Sequence, residues 1–350
     1  MKIVDCSFGE GGGQILRTAL SLGALFKEEV VLKKIRENRP KKGLMPQHLA
    51  AIKLLQKITN AEIKGAKLFS RELHFKPGKL QGGEYNVNIG TAGSITLLIQ
   101  TILLPVIYAE EDFTLRAIGG TDVPFSPPAN FLKEVFFPVL NKVGAKLNLE
   151  ILARGYYPKG LGRILFKSYK AKLPLKRIKI LEKGNFEKIN IFSHASGMPK
   201  DVVDEQVRGA RRFLEREGFS EIEEEKEYYS GESFGSGTEV IAYFENVRFG
   251  GSSLYRKGVP AFNIGQEAAQ RLIAEIKRNA ACDFHLADQL IPFMALAKGK
   301  SEIVTTKLTN HCITNIRICE MLLGVEFELS SEKIGSESRI AVEGISFCPL

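Results

Sequence analysis

The sequence predicts an α/β (α+β) fold: three repeated β-α-β-α-β-β units form a large domain, and a smaller α+β domain is inserted between the second and third repeats. Three observations predict it. Apolar helical runs and alternating strand runs recur in one order along the chain. Glycine-rich turns stand between strand and helix in the first two copies. The second helix of each copy runs straight into an alternating strand, at residues 52–62, 137–147 and 316–327.

Taken in order, a short opening strand leads through Gly9-Glu10-Gly11-Gly12-Gly13 into an apolar helix over 14–26. A strand over 30–35, a helix over 46–58 and strands over 61–66 and 72–75 complete the first copy. The second begins with the alternating strand 85–89, and Gly90-Thr91-Ala92-Gly93-Ser94 opens a helix reaching about Tyr108. Strand 113–118, helix 127–143 and strands 146–151 and 163–166 follow. The third copy shows an apolar helix over 287–297, a strand over 301–306, a helix over 315–323 and strands over 325–329 and 338–342. Residues 184–278 do not fit the unit. They hold strands at 188–192 and 238–244, a charged helix over 202–217, an amphipathic helix over 264–279 and a Gly/Ser-rich mobile loop over 231–237. The domains are therefore 1–183 with 279–350, and 184–278.

Composition narrows the classes. A hydrophobic fraction of 44% and a charged fraction of 25% fit a soluble globular protein. No run reaches the ~18–20 apolar residues of a membrane span. The N-terminus reads as a strand without the apolar stretch of a secretion signal, so the expected location is cytoplasmic. Five scattered cysteines argue against a disulfide framework or a zinc site. A net charge of +9 suits a polyanionic partner, and a lysine-rich surface explains it equally well.

Several segments could carry chemistry. The 9–13 loop is neither a Walker A loop, lacking Lys-Ser or Lys-Thr, nor a dinucleotide fingerprint, whose spacing differs. Glycines before a helix allow a phosphate to approach. Glu10 would repel that phosphate unless a divalent cation sat between them, and Arg17 could face the same site. Gln100 within the second copy's helix is a buried hydrogen-bonding residue or a nucleotide contact. The basic loop containing Arg36 and Arg39, followed by Gln47-His48, is a solvated loop or a phosphate grip. Among five histidines, His74 and His194 read as structural and His48 as a phosphate ligand. His285 and His311 compete for the nucleophile. His311 lies at a strand-to-helix junction, where a helix N-terminus would keep an imidazole neutral.

These segments together resemble the RNA 3′-terminal phosphate cyclase family. The matching stretches are GEGGGQILR (9–17), PQHL (46–49), GTAGS (90–94) with Gln100, GGTD (119–122), GYYPKG (155–160), HLADQL (285–290) and HCITN (311–315). They span nearly the whole chain in the family's order. The resemblance implies ATP as a substrate with Mg²⁺ or Mn²⁺, an RNA bearing a 3′-terminal phosphate as partner, and a 2′,3′-cyclic phosphate as product. It implies that His311 becomes covalently adenylylated and that AMP then passes to the RNA phosphate as an anhydride. It maps the nucleotide contacts onto Gln100, His285, Leu286, Ala287, Asp288 and Gln289. It maps the metal-associated glutamate onto Glu10, and phosphate or RNA contacts onto Arg17, Arg36, Arg39 and Gln47. His285 stands where tyrosine is common, which favours an adenine or ribose contact for it. A non-catalytic RNA-binding relative in ribosome assembly lacks the nucleophilic histidine, which this chain has. An adenylyltransferase acting on another nucleic-acid end and a small-molecule transferase are the other readings. No membrane partner is expected, and self-association into a homo-oligomer is left open.

Overall fold

The computed structural model describes residues 1–349. The first unit runs β1 (Lys2–Asp5), α1 (Gly13–Phe26), β2 (Val30–Lys33), α2 (Pro46–Thr59), β3 (Glu62–Lys64) and β4 (Leu73–Lys76). Its sheet has the order β1-β2-β4-β3, with β1 and β2 parallel and the other pairs antiparallel. The second unit has β5 (Gly83–Asn88), α3 (Ile95–Ile107) and β6 (Phe113–Gly119). A π-helical turn (Phe131–Phe136) then runs into α4 (Phe137–Lys142), before β7 (Leu147–Ala153) and β8 (Gly162–Ser168). Its order β5-β6-β8-β7 repeats the first topology pair by pair.

Next comes β9 (Lys179–Ile180), a two-residue strand too short to leave a periodic signal. The chain then builds a fourth sheet from β10 (Phe186–Ser196), α5 (Asp201–Arg216), β11 (Ile222–Tyr229), β12 (Gly235–Phe244), β13 (Arg248–Leu254) and α6 (Ala261–Ile276). Only after it come α7 (Phe284–Leu296), β14 (Lys298–Thr305), α8 (Asn310–Leu323), β15 (Phe327–Leu329) and β16 (Ser338–Ile345). Because β9 pairs in parallel with β14, the third sheet has the order β9-β14-β16-β15, the same topology once more. The fourth sheet thus enters where the first two units carry their glycine loops, between first strand and first helix.

Two strands of the insertion escape the sequence pattern. β11, Ile-Glu-Glu-Glu-Lys-Glu-Tyr-Tyr, is a charged edge strand paired only to β10. β13, Arg-Phe-Gly-Gly-Ser-Ser-Leu, has glycines because helix α6 lies against it: a Cβ on Gly251 would stand 2.4 Å from the Ala268 carbonyl oxygen. Gly235 and Gly237, placed by the sequence in a mobile loop, lie within strand β12.

The helices pack on one another between the sheets, α1 against α3 and α8, and α7 against α8. One continuous apolar cluster runs through all three units and the insertion. A buried ionic junction also ties the insertion to the second unit. Arg154, fully buried after β7, reaches Asp122 (3.3 Å), Glu227 (2.8 Å) and Glu239 (3.6 Å). His194 Nε2 lies 3.1 Å from Glu239, and its Nδ1 is 2.6 Å from the Tyr156 hydroxyl. Asp122, His194 and Glu239 have metal-ligand spacing, yet Arg154 already supplies their counter-charge.

Candidate active site

Glycine and helix-start residues from separate units meet at one cavity of about 1510 Å³. Its wall includes Gly13 and Gln14 of α1, Gln47 and His48 of α2, Ser94 capping α3, Phe284 and His285 of α7, and His311 of α8. Five helix N-termini therefore border one space, a placement that favours negative charge there. The glycine loop is what permits this approach. A Cβ on Gly13 would stand 2.6 Å from His48 Nε2, and one on Gly11, whose φ is +55°, would run into Asn38.

His311 is the second residue of α8, so the helix starts five residues earlier than the sequence pattern places it. Thr309 caps this helix by accepting from Cys312 N at 2.9 Å. The imidazole is oriented by α1. Gln14 Nε2 donates to the His311 carbonyl at 2.8 Å, which fixes the amide, so Gln14 Oε1 faces Nδ1 at 2.5 Å as an acceptor. Nδ1 must then carry the proton, and Nε2 keeps its lone pair. One turn on, Thr18 donates to Asn315 at 2.8 Å. Both contacts join residues 297 apart, so α1 and α8 run in parallel register. Burial lowers the His311 pKa first; Glu10 opposes it, while Arg17 and Arg39 add to it. The ring is neutral at physiological pH, and 45% of it is exposed to the cavity.

On α7, Asp283 caps the helix, accepting from the backbone amides of His285 and Leu286. Burial pushes the Asp288 carboxyl well up, and Thr309 donates to its Oδ1 at 2.5 Å. Asp288 is thus joined through Thr309 to the cap of the His311 helix, and its backbone carbonyl accepts from Asn315 Nδ2. Gln100 on α3 donates to Gln289 at 2.5 Å, and Gln289 donates back to the His285 carbonyl at 3.0 Å. The His285 ring lies against Phe284 and edge-on to Phe131, centroids 3.9 and 6.2 Å away. Leu286 and Ala287, included by the sequence in the nucleotide segment, are fully buried in the core and absent from the cavity wall. Helical geometry accounts for it: 285, 288 and 289 share a face that 286 and 287 do not.

The opposite wall is cationic. Arg17, Arg36 and Arg39 all line it. Burial brings the Arg17 guanidinium down to about 10 with no carboxylate offsetting it. Arg36 is held down by burial and by Arg39, and its buried Nε has no partner among the described residues. His48 accepts from Met45 N through Nδ1 at 3.0 Å, leaving a protonated Nε2 that has no partner among the described residues. Burial, then Arg17 and Arg36, hold its pKa down at about 3. Arg39 pairs with Glu10 at 2.9 Å, and Glu10 also lies 3.4 Å from His311 Nε2. Gln47 is committed to the frame, its Oε1 accepting from Ser94 N at 3.2 Å.

Gln14, Thr309 and Asn315 are the site residues that the sequence pattern alone does not single out. Their signal is an (i, i+4) spacing, Gln14 with Thr18 and His311 with Asn315, which becomes informative only once α1 and α8 are known to touch. Comparison with known proteins gives the family. The family profile for RNA 3′-terminal phosphate cyclase matches residues 8–329. A Pyrococcus furiosus protein named RNA 3′-terminal phosphate cyclase is 42% identical over 342 residues, covering 98% of each chain. Proteins of the same name from Archaeoglobus fulgidus and Pyrobaculum aerophilum are each 41% identical, over 95% and 98% of this chain and 98% of their own length. The chain belongs to the RNA 3′-terminal phosphate cyclase family.

Proposed function

We propose that this enzyme closes an RNA 3′-terminal phosphate into a 2′,3′-cyclic phosphate with ATP, carrying AMP on His311 Nε2. The observation that carries this reading is the Gln14 grip, whose Oε1 accepts from Nδ1–H and so leaves the lone pair on Nε2, on the Glu10 side of the cavity. In the first step the Nε2 lone pair attacks the α-phosphorus of ATP. The bond from that phosphorus to the bridging oxygen breaks, and pyrophosphate leaves. The imidazole becomes a cation that retains its Nδ1 proton on Gln14. An oxygen of the RNA 3′-phosphate then attacks the same phosphorus, the N–P bond breaks, and His311 is neutral again. Finally the 2′-hydroxyl attacks the 3′-phosphorus, loses its proton and expels AMP. That last step is intramolecular, so orientation supplies most of its rate.

Arg17, Arg36 and the His48 Nε2–H supply donors for the polyphosphate. Asp288, accepting from Thr309, holds the cap of the His311 helix in place. The Glu10 carboxylate, 3.4 Å from His311 Nε2, is the residue that would hold Mg²⁺ or Mn²⁺. Such a cation would neutralise phosphate charge there. The location expected for this chemistry is the cytoplasm, and no helix among the described residues is long and apolar enough to cross a membrane.

The test is incubation with α-labelled ATP and Mg²⁺ or Mn²⁺, followed by denaturation. Wild type and His285→Ala should retain acid-labile label, and a folded His311→Ala should retain none. No label on wild type under either metal would sink the mechanism and favour the non-catalytic RNA-binding reading.

A further inference from the structure

Two aromatic side chains at the cavity wall have no structural reason to be where they are. Phe125 is fully exposed and Tyr157 is 72% exposed, and both border the same space as His311. Burying such rings elsewhere would stabilise the fold by about 1.5–3 kcal/mol each. The backbone also works to keep Phe125 out. Its φ is +64°, a left-handed conformation that a bulky residue adopts only when its surroundings impose it. Those surroundings are rigid: Pro124 precedes it, Pro127 and Pro128 follow, and Ser126 Oγ donates to the Val123 carbonyl at 2.9 Å.

Tyr157 sits in the GYYPKG stretch, to which the adenylylation chemistry gives no task. The neighbouring Tyr156 turns inward, its hydroxyl on His194 and its backbone N–H on Ser233 at 2.8 Å, and so aims the next side chain outward. The two loops are fastened to each other. Thr121 N donates to the Gly155 carbonyl at 2.9 Å, and Gly155 N donates to Thr121 Oγ1 at 2.8 Å. Two flat apolar faces are thus held on adjoining, preordered loops beside a cationic pocket.

The geometry points to a stacking platform: Phe125 and Tyr157 receive the unpaired nucleobases at the 3′ end of the RNA. This rests on the cyclase reading and deepens it. Base–aromatic stacking accepts any base and is worth roughly a tenfold change in affinity or more per base. A duplex end buries its base faces on its own neighbours and cannot offer them. Arg17 and Arg36, which line the pocket and make no ion pair among the described residues, supply the complementary charge for the terminal phosphate.

The experiment is binding of a fluorescent, 3′-phosphorylated oligoribonucleotide, intact or with its last two residues abasic, to wild type and to Phe125→Ala/Tyr157→Ala. Wild type should lose at least about tenfold affinity on the abasic strand. The double variant should bind both strands alike, and Tyr157→Phe should behave as wild type. An equal abasic penalty in wild type and double variant overturns the platform. So does a double variant whose only change is its oligomeric mass, which would make the two rings a contact between copies. Label transfer from ATP to His311 is measured on the same proteins. Retained label with no base dependence overturns the platform alone, whereas absent label in wild type overturns the cyclase mechanism while the binding result still stands.

Discussion

A neutral histidine carries its proton on either ring nitrogen, and in this protein Gln14 selects the tautomer of His311. Gln14 both donates to the His311 carbonyl and faces Nδ1, so its amide cannot flip without losing both contacts. Gln14→Ala should leave His311 free to exchange tautomers and rotate. Label formation from ATP should fall about 10–100-fold, the equivalent of one lost hydrogen bond of ~1.5–3 kcal/mol. Single-turnover kinetics would check it, and an unchanged rate would remove Gln14 from the mechanism. The pH dependence follows from the same ring. Nε2 is useful only when unprotonated, and burial lowers the His311 pKa below the ordinary 6.5. The rate should therefore be flat above about pH 6.5 and fall only as pH drops through that lowered value. Glu10 raises this pKa, so Glu10→Gln should move the acid limb to still lower pH. A limb that begins above 6.5 would contradict the assignment. The sequence pattern leaves His311 in competition with His285 and the family resemblance alone favours it, whereas the structure places it in the first turn of α8. Its partner Gln14 is not legible in the sequence, since a glutamine inside an apolar helix looks like any polar residue until the facing helix is known.

At the scale of elements, the sequence spoke clearly where periodicity is long. Helices α1 and α3 and strands β6 and β8 lie within a few residues of their expected bounds. It was silent on β9, β11 and β13, for three different reasons: two residues carry no period, an edge strand needs no apolar face, and a glycine strand buries backbone against a helix. The polar junction under the insertion was also invisible, because Asp122, Arg154, His194, Glu227 and Glu239 are scattered over more than a hundred residues of sequence. That junction is energetically exposed to truncation. Arg154 has none of its side chain in solvent and faces three carboxylates. Arg154→Met should therefore cost about 3–5 kcal/mol by leaving buried acids uncompensated. Urea unfolding would measure it. A loss under about 1 kcal/mol would mean that His194 or protonation of Glu239, whose pKa burial already raises, takes over the balance.

Over the whole molecule, repetition explains why a site exists where it does. Three sheets of one topology surround helices that pack on each other, and the first turns of five helices converge on a single cavity. No one unit could collect Gln14, Gln100, Asp288 and His311; the site is a product of their assembly. The insertion extends its wall, since Glu239 of β12 and Gly250 and Gly251 of β13 border the same space. Electrostatics at this scale make the final prediction. The chain carries a net charge of +9, yet many of its surface cations are already paired, as Lys34 is with Asp5 at 2.7 Å. Only cations without a protein partner should release counterions when RNA binds. A plot of log affinity for a 3′-phosphorylated single strand against log salt should be linear, falling by about 0.7 for each phosphate neutralised. Arg36→Ala should make that slope shallower by about one phosphate's share, while Lys34→Ala should leave it unchanged. Equal effects of the two substitutions would mean that RNA is held by the protein's overall charge, and that the cavity arginines serve ATP alone.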